Sequence, residues 1–575
     1  MSFDDSKPLS VSVYTDTIII SSNSSSDIQH KKNVFINRKT QQITHENITI
    51  QNNPLQVLIA ECIYGIHKLF SVDYLIVVTQ KKLVATIFTH QIFKIEKYEI
   101  VPVTEHSTKT EALYHRKVIN KTFSSNNFYF SYTYDLTRPY SDQHNDPDEL
   151  YLWNKNMFTA FPSKNSIENL LFFPTICGFV GKSECAISDT LNNKVELILI
   201  SRRSNQHVGR RYYTRGSDEN GYCANHVETE QIVIVNNNIS SYIQLRGSIP
   251  LKWSQVPNFH YKPDIAICKD ETANMEVMRR HFEDVLKKYN TTSVVSLVDK
   301  KGTEFELGKT YEKIVNKMAN ESVTIECIDF HQMMKKMNEL LSYLECVFQR
   351  VNYGSYVATN EVVMTKQKGV FRVNCIDSLD RTNVCESVFG RLTAQQFLRE
   401  VNVLPECTSL MNNKEFNSMF VKLWADNGDC LSWEYTGTGA QKGDITRNGK
   451  RTVQGRITDF VHSYTRYLFN NFFDGETVDC LNTFLGNCEG RCVVYELNWT
   501  QTGMVVGLLF SVLMFVVSIC YSLLFRKIEV LVFAIVAIIF VRGIFEIGFI
   551  KMKKVTIPPK VVKFQDFEED KEKGD

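Results

Sequence analysis

The sequence lacks most of the features that would take it out of the ordinary globular classes. Over 575 residues it holds 26 glycines and 13 prolines, near or below background, which excludes collagen-like and low-complexity chains. Neither charge is in excess: 65 Lys and Arg face 64 Asp and Glu, a net charge of +1. That balance argues against a bulk nucleic-acid binder, so any charged partner is met locally. The 15 cysteines contain no CxxC pair and no tight disulfide-like spacing, which reads as free thiols in a reducing compartment. No HExxH or comparable metal-ligand cluster occurs, so no cofactor is expected. The glycines of GTGAQKGDITRNGKRT lack the Walker spacing and its GK[ST] ending, which excludes a nucleotide loop. The N-terminus, MSFDDSKPLS, has no basic segment followed by an apolar one, so no export signal is expected.

What is present divides the chain. The stretch 503–525 carries no charge over about 23 residues, roughly 34 Å of helix against a bilayer core of about 30 Å. A second span is read over 528–550, whose apolar part, Val530 to Ile550, carries Arg542 and Glu546 at a spacing that lets them pair on one helix face. The two read as a transmembrane hairpin with both chain ends on the cytosolic side. Residues 474–502 read as a loop-like linker and 551–575 as a cytosolic tail. Before the linker, residues 1–180 read as mostly β, with YLIVVT (Tyr74 to Thr79) and LVATIF (Leu83 to Phe88) as a hairpin around QKK. Residues 181–473 read as α/β: VELILIS is a buried strand, and 274–289 places Met278, Phe282, Val285 and Leu286 on one helix face.

One segment carries chemistry. In GVFRVNCIDSLDRTNVCESVFGRL, Phe371, Val373 and Cys375 alternate as on a strand, and Val384, Val388 and Leu392 recur as on a helix. A strand, a tight loop and a helix N-terminus make an anion cradle. A cysteine at its lip is expected to drop from a pKa of about 8.5 to about 5.5 and become a thiolate. The CxxxxxR spacing thus builds a nucleophile, Cys375, beside a phosphate clamp, Arg381, with Thr382 placed to donate a hydrogen bond to the sulfur. Asp377 and Asp380 are the candidate general acids, with Asp377 preferred. The remaining loop residues Ile376, Ser378 and Leu379 are expected to line the phosphate pocket.

The run RVNCIDSLDRTN resembles the signature of the Sac (suppressor of actin) phosphoinositide phosphatases, whose loop usually reads CMDCLDRTN. SRRSNQHVGRRYYTRGSDENGYCANHVETEQI, QLRGSIPLKW, DFHQMMKKMN and WADNGDCLSWEYTGTGAQKGDITRNGKRT are similar to the same family, whose homology region would span about 109–440. The resemblance is nearest to its integral membrane members of the endoplasmic reticulum and Golgi. It implies hydrolysis of phosphatidylinositol 4-phosphate, and less selectively the 3-phosphate, without a metal, with Cys375 as nucleophile, Arg381 as clamp and a loop Asp as acid. Ile376 and Ser378 depart from the usual Met and Cys. The terminal KEKGD fits a KxKxx retrieval signal, which implies coat-protein contact through Lys571 and Lys573.

Arg202, Arg203, Arg210, Arg211 and Arg215 form a basic run without an acid, expected to face the membrane or a lipid headgroup. His331 reads as a structural histidine. Two other functions remain open from sequence: a membrane-anchored phosphoinositide-binding adaptor or tether, and a protein tyrosine phosphatase sharing the CxxxxxR chemistry.

Overall fold

The computed structural model describes residues 8–22, 33–44, 53–70, 72–104, 108–143, 145–158, 172–186, 194–257, 262–333, 336–406, 408–448 and 452–488, together with 503, 506–507 and 559–561. The apolar stretches 503–525 and 528–550 and the signal at Lys571 and Lys573 lie outside them, apart from three isolated positions. Among the described residues no helix is long and apolar enough to cross a membrane.

The chain begins with a five-stranded antiparallel sheet built from β1 (Leu9–Val13), β2 (Thr17–Ser22), β3 (Asn33–Asn37), β4 (Ile43–Thr44) and β5 (Gln56–Ala60), ordered β4-β3-β2-β1-β5. A 13-stranded sheet follows and runs through both halves of the protein. Its first half is an antiparallel meander of β6 (Cys62–Leu69), β7 (Val72–Ile87), β8 (His90–Pro102), β9 (Phe128–Ser131), β10 (Ile176–Ala186), β11 (Lys194–Arg203), β12 (Val227–Val235) and β13 (Asn238–Arg246). The short pair β14 (Trp253–Ser254) and β15 (Ala266–Ile267) stands apart. Beyond β13 the sheet turns parallel through β16 (Thr292–Ser296), β17 (Val323–Cys327) and β20 (Val370–Asn374), in the order β13-β20-β16-β17. The hairpin β18 (Tyr356–Thr359) and β19 (Val362–Thr365) branches from β13.

Two readings of the N-terminal half and its exit change. YLIVVT and all of LVATIF but Phe88 belong to the single strand β7, which pairs with β6 on one side and with β8 on the other, with register shifts near Val78, Gln80 and Leu83 on the β8 side. The polar QKK does not break the strand because Lys81 finds Glu61 at 2.7 Å and donates to the Tyr132 hydroxyl at 2.8 Å. The presumed linker begins with a buried helix, and the stretch left to join the head to the first apolar segment is only 489–502.

Helices cover the parallel part of the sheet on both faces, as buried parallel strands require. After α1 (Lys109–Ser125) and the short α2 (Lys155–Phe158) come α3 (Glu271–Tyr289), α4 (Phe305–Met318), α5 (Phe330–Met333), α6 (Met337–Val351), α7 (Asp380–Glu400), α8 (Lys414–Thr436), α9 (Gly443–Asn448), α10 (Val453–Leu468) and α11 (Asp474–Leu485). Strand alternation sorts the core: Val295, Phe371 and Val373 pack with Leu344 and Phe348 of α6 and Phe389 of α7. Val294 packs on the other side with Met278 and Phe282 of α3 and Tyr311 and Ile314 of α4. Burying Phe371 completely stabilises by roughly 1.5–3 kcal/mol, and Phe371→Ala would cost about 3–5 kcal/mol and loosen the strand that carries the site. α11 packs against α1, and Asp479 accepts the backbone N–H groups of Lys560 and Val561, so the chain returns to this helix after the apolar stretches.

Candidate active site

β20 ends at Asn374 and α7 begins at Asp380, so the loop between them is five residues, Cys375 to Leu379. α1, α3, α8 and α10 all have side-chain N-caps, from Thr108, Asp270, Asn413 and Thr452. α7 has none: Leu379 stands at its N-cap without a side-chain hydrogen bond. Among the described residues no acceptor meets the backbone N–H groups of 376–382. These orphan donors are satisfied by water or by an anion.

The loop is held from behind. Arg215 donates to the carbonyl of Ile376 at 3.0 Å, Asn225 to that of Asp377 at 3.1 Å, and the Ser378 hydroxyl to that of Gly247 at 2.6 Å. Ser378 itself adopts φ +52°, a left-handed conformation that a serine holds only when its surroundings enforce it. Anchoring the carbonyls outward turns the peptide groups so that N–H donors remain for the opposite side.

Cys375, Asp377, Asp380 and Arg381 line one cavity of about 250 Å³, with Ile376 on its wall. Arg381 is fixed by Glu304 through Nη1–Oε2 and Nη2–Oε1 contacts, both 3.0 Å, and Nη1 also meets the Leu297 carbonyl at 3.0 Å and Asp299 at 3.2 Å. Burial opposes the guanidinium charge, but Cys375, Glu304 and Asp299 outweigh it and raise the pKa of Arg381. Glu304 and Asp299 carried no sequence signal. His331, read as structural, stands exposed at the cavity rim with Nδ1 2.7 Å from Asp299.

The two loop aspartates differ sharply. Asp377 meets Arg211 at 2.9 Å and Arg215 at 2.7 Å. Burial alone would raise its pKa, and the two arginines reverse that and hold the carboxyl below the usual carboxylate range. Asp380 shows the opposite balance. Burial pushes its pKa up, the Asp377 charge adds to the rise, and Arg466 and the Gln441 N–H at 3.3 Å offset only part of it. The surroundings thus push the two carboxyls in opposite directions, Asp377 down and Asp380 up.

Other expected positions are not in the cavity. Leu379 is buried with Val227, Leu431 and Tyr435, and the Ser378 side chain points at Gly247. The Thr382 hydroxyl is buried without a hydrogen-bond partner and makes no bond to Cys375. The basic run divides. Arg202 is 0% exposed between Glu228 at 3.2 Å and Glu230 at 2.5 Å, Arg203 donates to Asn126 at 2.9 Å, and Arg210 lies 3.8 Å from Asp474 of α11. These three face the protein interior: strand pairing and α11 supply acids to Arg202 and Arg210, and Arg203 is held by the Asn126 side-chain oxygen and the Gly209 carbonyl. Arg211 and Arg215 reach the cavity, joined by Lys262, Lys442 and Arg466. Lys442 belongs to the glycine-rich segment set aside as a nucleotide loop.

The chain is similar to known proteins along most of its length. Residues 61–335 match the SacI homology domain. The phosphatidylinositol-3-phosphatase SAC1-A of Danio rerio is 36% identical over 448 residues, which cover 74% of this chain and 75% of that protein. The Drosophila melanogaster phosphatidylinositol-3-phosphatase SAC1 is 34% identical over 80% of this chain and 81% of its own. The Arabidopsis thaliana phosphoinositide phosphatase SAC7 is 35% identical over 74% of each. With identity of that extent along both chains, the protein belongs to the Sac family of phosphoinositide phosphatases.

Proposed function

We propose that the protein removes phosphate from phosphatidylinositol 4-phosphate, and less selectively from the 3-phosphate, through a phosphocysteine on Cys375. The observation that carries this reading is the placing of Cys375, Arg381 and Asp380 around one cavity at an uncapped helix N-terminus. The Cys375 thiolate attacks phosphorus while Arg381 and the loop N–H groups hold the equatorial oxygens. Asp380 gives its proton to the departing inositol oxygen, and the resulting carboxylate then takes a proton from the water that hydrolyses phosphocysteine. No step calls for a metal ion. Asp377 keeps Arg211 and Arg215 in place and donates no proton.

The protein is proposed to act at the endoplasmic reticulum and Golgi membrane, held by helices over 503–525 and 528–550, with its catalytic head in the cytosol and Lys571 and Lys573 read by coat proteins. The charge-free length of the first stretch supports the anchor. The test is phosphate release from short-chain phosphatidylinositol 4-phosphate, in chelator, by wild type and Cys375→Ser. Release by the wild type alone is expected. Equal release by both, or an absolute need for Mg²⁺, would sink the thiolate mechanism, and activity confined to phosphotyrosine peptides would select the protein phosphatase instead.

A further inference from the structure

α10 is turned inside out. Val453, Ile457, Phe460 and Val461 follow the spacing of one helix face, and they are 75%, 53%, 45% and 44% exposed. The opposite face is polar and looks inward: Arg466 is buried, donating to Thr438 Oγ1 at 2.7 Å and Ser432 Oγ at 3.0 Å, and the Ser463 hydroxyl accepts from Gln441 at 2.8 Å. A helix at the surface of a globular domain has the reverse arrangement.

The position of this helix says what meets its outer face. Ser463, Arg466 and Tyr467 line the Cys375 cavity, so the apolar stripe and the cavity belong to one element. Exposed cations surround them: Arg456 on the helix, and Lys442 and Lys262 in the cavity wall. An apolar stripe flanked by cations suits the headgroup layer of an anionic bilayer. α10 runs through the π-helical turn Phe469–Phe473 into α11, where the chain leaves toward the apolar stretches and to which it returns at Lys560. The 14 residues of 489–502 span at most about 50 Å fully extended, which bounds how far the head can stand from the anchor proposed above.

We propose that α10 is an interfacial docking helix. Its stripe of Val453, Ile457, Phe460 and Val461 inserts at the headgroup boundary of an anionic lipid surface and thereby presents the mouth of the Cys375 cavity to lipid in the same membrane. The inference deepens the reading of this site as a lipid phosphatase and rests on it.

The full chain is reconstituted into phosphatidylcholine–phosphatidylserine vesicles whose acyl chains carry bromine, which quenches only indole groups in contact with them. With Ile457→Trp, the added fluorescence is expected to be quenched. Val461→Glu is expected to lower hydrolysis of bilayer-embedded phosphoinositide at least tenfold while leaving hydrolysis of the short-chain substrate in detergent unchanged, and Val461→Leu is expected to behave as wild type. An unquenched tryptophan would overturn the proposal and leave the stripe to a second copy or to another segment of the chain. Equal loss on both substrates would overturn it too, as damage to the fold. Quenching needs no turnover, so a wild type inactive on both substrates would defeat the enzymatic reading while the docking is still decided by fluorescence.

Discussion

Arg381 and Glu304 meet fork to fork, with both nitrogen–oxygen contacts at 3.0 Å. Among the described residues no acceptor meets Nε of this guanidinium, so Nε and the second N–H of Nη2 could together take two oxygens of the phosphate proposed above while Glu304 stays in place. Glu304 therefore positions Arg381 rather than competing for the same donors. Glu304→Gln keeps the shape and removes the charge, and it is expected to lower kcat by about 10- to 100-fold through misplacement of the clamp, with KM changed far less. Steady-state kinetics on short-chain substrate checks this. A rise in kcat would instead mark Glu304 as a restraint on Arg381.

The contrast between the loop aspartates predicts which of them sets the pH dependence. A general acid must be protonated, so activity is lost as pH rises through the raised pKa of Asp380. Asp380→Asn should lower kcat/KM by about 10²–10⁴ and abolish the alkaline limb of its pH profile. Asp377→Asn should keep that limb, because its carboxyl is already ionised between Arg211 and Arg215. It should instead destabilise by about 3–5 kcal/mol, since two largely buried guanidinium groups lose their shared anion. An alkaline limb that disappears in Asp377→Asn would reverse the two roles.

The strand, loop and helix of the site were legible in the sequence because they are contiguous and each obeys its own period, from Val370 through Glu400. The residues that act on the loop were not. Glu304 arrives from the start of α4, Gln441 and Arg466 from around α9 and α10, and nothing near them in sequence marks a site. The basic run was misread for a related reason. Arg202 pairs with Glu228 across β11 and β12, a register that exists only once the sheet forms. Arg211 lies beyond the strand and is free to reach Asp377. Likewise α11 looks loop-like in isolation, because what it buries is supplied by α1 and β6.

Arg202 offers a direct check on that corrected reading. Its side chain and those of Glu228 and Glu230 are all fully buried. Arg202→Met removes the cation and leaves two carboxylates behind, which is expected to cost about 3–5 kcal/mol in chemical denaturation. Binding to anionic vesicles should not change. A stable variant with weakened vesicle binding would restore the arginine to the membrane-facing surface.

The last prediction concerns the joint between α11 and the N-terminal half. His67 Nδ1 and His115 Nε2 lie 2.5 Å apart in the core, and His67 Nε2 meets the Phe484 carbonyl of α11 at 3.1 Å. Burial lowers the pKa of His67 to about 4, against a partial rise from the Phe484 bond. Burial and then the charge of His67 lower that of His115 to about 3. The unfolded chain takes up these protons near pH 6.5, whereas the folded chain does not until about pH 4. The pair therefore contributes its full stability above pH 6.5 and loses it as pH falls through 4, on the order of 3 kcal/mol per histidine. Urea midpoints for wild type should fall steeply across this window, and His115→Gln should flatten the slope by about one proton. The same slope in both proteins would mean that the pair is not what ties α11 to the N-terminal half at acid pH.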